Sequence, residues 1–238
     1  MNPTKAAPER GREISAPSGI WAVVPVKETT HAKQRLASVM APDMRRVLAL
    51  TMLQDVLAAL VGVPVLHGIA VVTVDRDAAR IARDAGARVL QKDAIVGHTE
   101  AIAGAARLLQ SEGAAGMLAI PGDIPLVTST EVAQVIASHG EAPAFTIVPA
   151  WDGRGSNGVL CSPPGLVPLQ FGDDSCLPHL AAAESLGLSP RIVRLAGIGL
   201  DIDTPRDLAA FLERRSSTRT QALLTEHGFA SSLMAAAK

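Results

Sequence analysis

Short apolar runs alternate with stretches of helical spacing, and this alternation most constrains how the chain can fold. The runs are IWAVVPV (20–26), GIAVVTV (68–74), ARVLQK (87–92), MLAIPG (117–122) and AFTIVPA (144–150). A short, continuously apolar and β-branched run is the pattern of a strand covered on both faces. Between the first two, Pro42 can open a helix whose residues Val47, Leu48, Met52, Leu53, Val56, Leu57 and Leu60 form a broad apolar face. DRDAARIARDAG predicts a short helix ending at Gly86, and further helices are expected at 100–110 and 129–137. Strands alternating with helices imply βαβ units, a mainly parallel sheet and right-handed crossovers. Ligands of such sheets bind outside the carboxyl ends of the strands.

The second half is less regular. VLCSP and RIVRLAG (191–197) read as strands, and 175–186 and 205–214 as helices, which predicts a smaller mixed β insertion able to wall a pocket. Residues 1–18 read as a disordered tail, 19–215 as one domain, and 216–238 as a helical extension packed on the body or on another subunit, which leaves a homodimer open. There is no internal repeat.

Composition narrows the function. With 238 residues, 48% hydrophobic, there is ample material for one large core. A net charge of -1 argues against a general nucleic-acid binder. Aromatics are 3% with no tyrosine, which disfavours base-stacking platforms for single strands. Cys161 and Cys176 match no disulfide, zinc or redox pattern and read as reduced thiols. With no signal-peptide core and no apolar run of membrane-spanning length, a cytoplasmic protein is expected.

Four stretches fall where chemistry belongs. Lys27, Lys33 and Arg35 follow the first strand and could present cations to a phosphate chain, or simply form a solvated loop. No GxGxxG turn is present. Asp123 in PGDIP lies at a strand's carboxyl end, either as a turn residue or as a metal ligand. DGRGSNG (152–158) and FGDDS (171–175) combine glycine with hydroxyls that can turn donors toward an anion, and Ser175 can also cap a helix. In LDIDTP, an extended backbone puts Asp201 and Asp203 on one face roughly 7 Å apart. Thr204 followed by Pro205 reads as a helix cap, which leaves the shared direction of the two aspartates unexplained. If Asp123 converges on them, three carboxylates resist common ionisation unless a cation is bound. Oxygen ligands without a His or Cys cluster favour Mg²⁺, at roughly 2.1 Å from each oxygen.

Taken in order, Pro25-Val26-Lys27 with Ala32-Lys33-Gln34-Arg35-Leu36, then PGDIPL, GSNG, FGDDSCLPH and DIDTPRDL, the chain resembles the CofC/FbiD guanylyltransferases, which activate a small phosphorylated acid in biosynthesis of the deazaflavin redox coenzyme. The resemblance spans about residues 21–211. It implies a nucleotidyltransferase-type α/β fold, GT-A-like and Rossmann-like. It also implies Mg²⁺ on Asp123, Asp201 and Asp203, and GTP phosphates on Lys27, Lys33 and Arg35, with Lys27 and Asp123 closest to catalysis. Ser156, Gly172 and Ser175 would surround the phosphate or carboxylate of phosphoenolpyruvate, 2-phospho-L-lactate or 3-phospho-D-glycerate, and the product would pass to a downstream transferase. Two departures stand out: Ser156 replaces the family's usual Thr, and Gly97-His98-Thr99-Glu100 replaces a segment that often holds Asn. The rival readings are a metal-dependent glycosyltransferase of related fold and a non-catalytic nucleotide-binding protein.

Overall fold

The structure, a computed structural model, describes residues 18–91, 94 and 97–229. The tail expected over the first residues lies outside this range, apart from Ser18, as does the end of the expected terminal helix.

Strand β1 (Ser18–Pro25) lies inside the sheet, flanked in parallel by β2 (Leu66–Val72) and β4 (Ala114–Ala119), with β3 (Arg88–Leu90) beyond β2. Helices α1 (Pro42–Val61), α2 (Arg76–Asp84) and α3 (His98–Ser111) make the connections between them in turn. Because these helices cover both faces of the sheet, β1 buries residues of both parities. Ala22 and Val24 meet the cluster containing Leu53, Val56 and Leu57 of α1, while Val23 meets Ile102, Ala105 and Leu109 of α3. That two-sided burial is why the run is continuously apolar.

Local signals set the helix ends. Pro42 stands at the first turn of α1, Asp75 accepts from the amides of Asp77 and Ala78 to cap α2, and Gly86, at φ +76°, takes the left-handed position after it. The broad apolar face of α1 divides in two. Leu53, Val56, Leu57 and Leu60 enter the sheet core, whereas Leu48 and Met52 join a cluster with Leu200, Ile202, Leu208, Phe211 and Leu224. Val47 is 43% exposed and belongs to neither, contrary to the periodicity.

The second half is mixed, as expected, but its strands join the main sheet instead of forming one of their own. After α4 (Ser129–Ser138), β5 (Ala144–Pro149) and β6 (Ser156–Ser162) extend the same sheet, and two-residue β7 (Arg191–Ile192) closes its edge. The order is β3-β2-β1-β4-β6-β5-β7. Strand β6 is antiparallel to both neighbours, and β5 and β7 run with the rest. The expected strand 191–197 is short because the chain leaves the edge after Val193, and the Gly197 amide is instead taken by Glu131.

The remaining helices are α5 (Cys176–Ser185), α6 (Pro205–Leu212) and α7 (Arg219–Glu226). Thr204 and Asp207 form a reciprocal capping box ahead of Pro205, as the sequence suggests. Helix α7 packs on α1: the buried Asp55 carboxylate accepts from the amides of Arg219 and Thr220, both at 2.9 Å, and from the Thr220 hydroxyl at 2.7 Å. No helix among the described residues is long and apolar enough to cross a membrane.

Candidate active site

The direction of β6 assembles the site. Strands β1 and β4 are neighbours whose helical connections depart to opposite sides, the topological switch at which α/β sheets bind ligands. Lys27, Lys33 and Arg35 follow β1, and Asp123 follows β4. Because β6 runs against them, its first residues, Ser156 and Asn157, arrive at the same edge. The loop before α5 and the segment before α6 complete a pocket of about 780 Å³. Its lining includes Lys27, Lys33, Arg35, Asp123, Ser156, Gly172, Ser175, Asp201 and Asp203, so the structure brings all the sequence-selected residues together.

One wall is charged. Lys33 donates to Asp123 Oδ2 and Asp203 Oδ1, each at 2.5 Å, and its side chain is only 8% exposed. Burial opposes the ammonium charge, but the two carboxylates outweigh it and hold the lysine pKa above its ordinary value. Lys33 adopts φ 54° and ψ 45°, the one non-glycine left-handed residue among those described. This is a backbone cost of the kind concentrated at functional sites. The position corrects one expectation: Lys33 does not extend freely into the loop toward a phosphate chain but bridges two of the predicted metal carboxylates. Burial likewise works against ionised Asp203, and the Lys33 ammonium outweighs it, keeping that carboxyl below the usual range.

Asp201 lacks such a partner. Burial first, and then the charge of Asp123, push its pKa up to about 6, although Asn157 Nδ2 donates to it at 3.0 Å. The same Asn157 amide reaches the carbonyls of Ile198 and Gly199, both at 3.1 Å, and so fixes the backbone leading into the aspartates. Sequence reasoning gave Asn157 no role; only its place beside Ser156 in GSNG hinted at one.

The fit to a metal can be judged from these contacts. Among the described residues, no three His, Cys, Asp or Glu groups form a ready-made metal cage. Yet Asp123 Oδ1 is buried with no hydrogen-bond partner among the described residues, and an orphaned carboxylate oxygen is costly unless something meets it. Hard oxygen donors few in number suit Mg²⁺, which retains water and substrate oxygens in its shell. Lys27 is exposed on the pocket rim, with no ion pair among the described residues. Arg35 instead pairs with Asp173 at 2.7 Å, both well exposed, tying the loop after β1 to the loop before α5.

The other wall is neutral. Ser156 Oγ lies 2.9 Å from His179 Nδ1 and 3.1 Å from Ser175 Oγ, while His179 Nε2 accepts the Gln170 amide at 2.9 Å. Ser175 occupies the N-cap position of α5, but its side chain makes no capping bond. Its hydroxyl turns to Ser156 instead, contrary to the capping reading. The amides of that helix end are also less available to an anion than expected: Cys176 N–H donates to Arg154 O at 2.8 Å, and Pro178 has none. A Cβ at Gly172 would meet nothing within 4 Å, so no contact inside the chain demands glycine there. The departing segment Gly97–Glu100 joins this wall: Thr99 Oγ1 accepts the Phe171 amide at 3.2 Å, and the Phe171 ring stands 4.8 Å from that of His98.

Comparisons with known proteins agree with this architecture. The profile of the family described as guanylyl transferase CofC like matches residues 20–238. The phosphoenolpyruvate guanylyltransferase of Rubrobacter xylanophilus is 38% identical over 190 residues, covering 80% of this chain and 92% of that one. The 3-phospho-D-glycerate guanylyltransferase of Colwellia psychrerythraea is 32% identical over 201 residues, covering 84% and 94%. Among solved structures, one from Desulfovibrio desulfuricans, provisionally described as a nucleotide-diphospho-sugar transferase, superposes with a TM-score of 0.72 at 20% identity, covering 89% of this chain and 96% of that one. A 4-diphosphocytidyl-2C-methyl-D-erythritol synthase gives 0.59 at 18% identity, covering 88% and 100%. At such identities these two establish the fold alone. The family match extends over nearly the whole described chain, and the protein belongs to the CofC-like guanylyl transferases, a family of nucleotidyltransferases.

Proposed function

We propose that the protein transfers GMP from GTP to a small phosphorylated acid, namely phosphoenolpyruvate, 3-phospho-D-glycerate or 2-phospho-L-lactate. Diphosphate is released, Mg²⁺ is required, and the product enters deazaflavin coenzyme biosynthesis through a downstream transferase. The observation that carries this reading is the shared pocket. A wall of carboxylates and lysine suited to polyphosphate and a hard cation adjoins a wall of neutral donors suited to a small oxyanion. Relatives named for phosphoenolpyruvate and 3-phospho-D-glycerate support the choice of acceptor.

In the reaction, a phosphate oxygen of the acid attacks the α-phosphorus of GTP. The new P–O bond forms as the bond to the bridging oxygen breaks, and diphosphate departs with the electron pair. The nucleophile is already ionised at neutral pH, since the second phosphate pKa is about 6. No general base is needed, and His179, which burial holds down at about 4, is not tuned to be one. The protein's work is to position two anions and balance their charge. Lys27 offers the phosphate chain an ammonium with no ion pair among the described residues, and Ser156 offers its hydroxyl to the acid, with the Ser175 hydroxyl donating to it from behind. Asp123 and Asp203 would hold the metal, with Asp201 beside them. Bound there, Mg²⁺ would neutralise phosphate charge.

The test combines protein, GTP and each of the three acids, with Mg²⁺ or with chelator, and follows diphosphate release and product mass. Release with at least one acid, abolished by chelator, is expected. No release with any acid would overturn the reading, and transfer from a nucleotide sugar instead would favour a glycosyltransferase.

A further inference from the structure

His179 is 1% exposed, and its two ring nitrogens are both engaged. A backbone amide can only donate, so the nitrogen receiving Gln170 N–H, Nε2, carries no hydrogen. A neutral imidazole has a single N–H, which must then sit on Nδ1 and point at Ser156 Oγ. Ser175 donates its hydroxyl to the same oxygen. Ser156 thereby accepts two hydrogen bonds, which uses both of its lone pairs. Its own hydrogen has to be given elsewhere, and Ser156 lines the pocket.

The ring cannot readily turn over to reverse this polarity. Phe171 packs against it edge-on at 5.1 Å, and a flipped imidazole would place a ring carbon against the Gln170 amide. We infer that His179 is a positioning residue that sets the direction of a chain of three hydrogen bonds, so that Ser156 meets the substrate only as a donor. Such a contact suits a fully ionised oxygen of a phosphate or carboxylate and disfavours a group that must itself donate. The inference rests on the reading of this wall as the phosphoacid subsite. It assigns the orientation of the serine hydroxyl to a residue that touches no substrate.

Two measurements test it. In wild-type protein labelled with ¹⁵N-histidine, long-range ¹H–¹⁵N correlations should show His179 as the Nδ1–H tautomer, its signals identified by their loss in His179→Phe. An Nε2–H tautomer would overturn the inference. In steady-state kinetics, His179→Phe should raise KM for the phosphoacid about ten-fold, the effect of losing one aligned hydrogen bond to a charged group. KM for GTP should stay unchanged. His179→Asn, whose side-chain amide can take the place of Nδ1–H, should recover most of the loss. Adding His179→Phe to Ser156→Ala should cost nothing further, because the histidine acts through the serine. Additive losses, or equal changes in both KM values, would overturn it. A wild type that used none of the acids would sink the guanylyl-transfer reading instead, and the tautomer would still decide the hydrogen-bond polarity.

Discussion

The two walls of the pocket, proposed above to hold anions at one sheet edge, are balanced by opposite means. On the charged wall, Lys33 is shared between Asp123 and Asp203, Asp201 accepts from the Asn157 amide, and one oxygen of Asp123 has no hydrogen-bond partner among the described residues. On the neutral wall, Gln170, His179, Ser156 and Ser175 form a connected chain whose one spare donor is the Ser156 hydroxyl. The first wall is balanced by charge and has to rebalance when a cation or a polyphosphate arrives. The second is set by hydrogen-bond direction and needs no rebalancing. On the proposed assignment of subsites, preorganisation therefore resides on the neutral wall and adaptability on the charged one.

The largest expected effect breaks the charged wall. Asp203→Ala removes a Lys33 partner and a proposed metal ligand but leaves the Asp203 amide on Asp207, so the fold should survive. Diphosphate release should fall at least about 10³-fold with an unchanged circular dichroism spectrum. Undiminished turnover would deny this wall its catalytic part. Next, Lys33→Met leaves Asp123 and Asp203 uncompensated. Because both carboxylates are partly exposed, a loss of about 1–3 kcal/mol is expected in denaturant titrations, less than for a fully buried pair. Added Mg²⁺ should restore more stability to this variant than to the wild type, and equal responses would mean that lysine and metal do not share the site.

Asp201→Asn sharpens the comparison through pH. In chelator, the folded-state pKa of Asp201 lies near 6, above the ordinary 3.8. The folded state therefore holds a proton that the unfolded state has lost between those values, and the wild type loses stability as pH rises through that window. The variant should be more stable than wild type at pH 7, by about 1–3 kcal/mol, with the advantage vanishing near pH 3.5. A constant difference across the range would place its origin elsewhere. The smallest effect belongs to the neutral wall: Ser175→Ala removes one donor to Ser156 and should cost about 1 kcal/mol in acid binding, read as a KM several-fold higher, with GTP unaffected.

Much of this was legible in the residues, and the illegible part has definable causes. β-Branched runs announced β1, β2 and β5, but β4 begins at Ala114, within an Ala-Ala-Gly stretch that carries almost no strand preference. The cap at Thr204 was readable because its partner is three residues away. The Lys33 bridge was not: its carboxylates lie 90 and 170 residues along the chain. Ser156 looked like part of a glycine-rich loop but begins β6, because nothing local reveals that the strand will be clasped between β4 and β5. Ser175 shows a further limit. Spacing put it at the start of α5 and could not say which way its hydroxyl would turn.

The one reversed strand among the described residues also separates the two walls along the chain. Because β6 enters the sheet head-first at the ligand edge, the turn over residues 150–155 and the loop before α5 can change in length or sequence while the parallel half, with its cation-bearing loop, stays as it is. On the proposed assignment, a change of acceptor acid would call for edits to one hairpin and its neighbouring loop alone, and the donor nucleotide would keep its place.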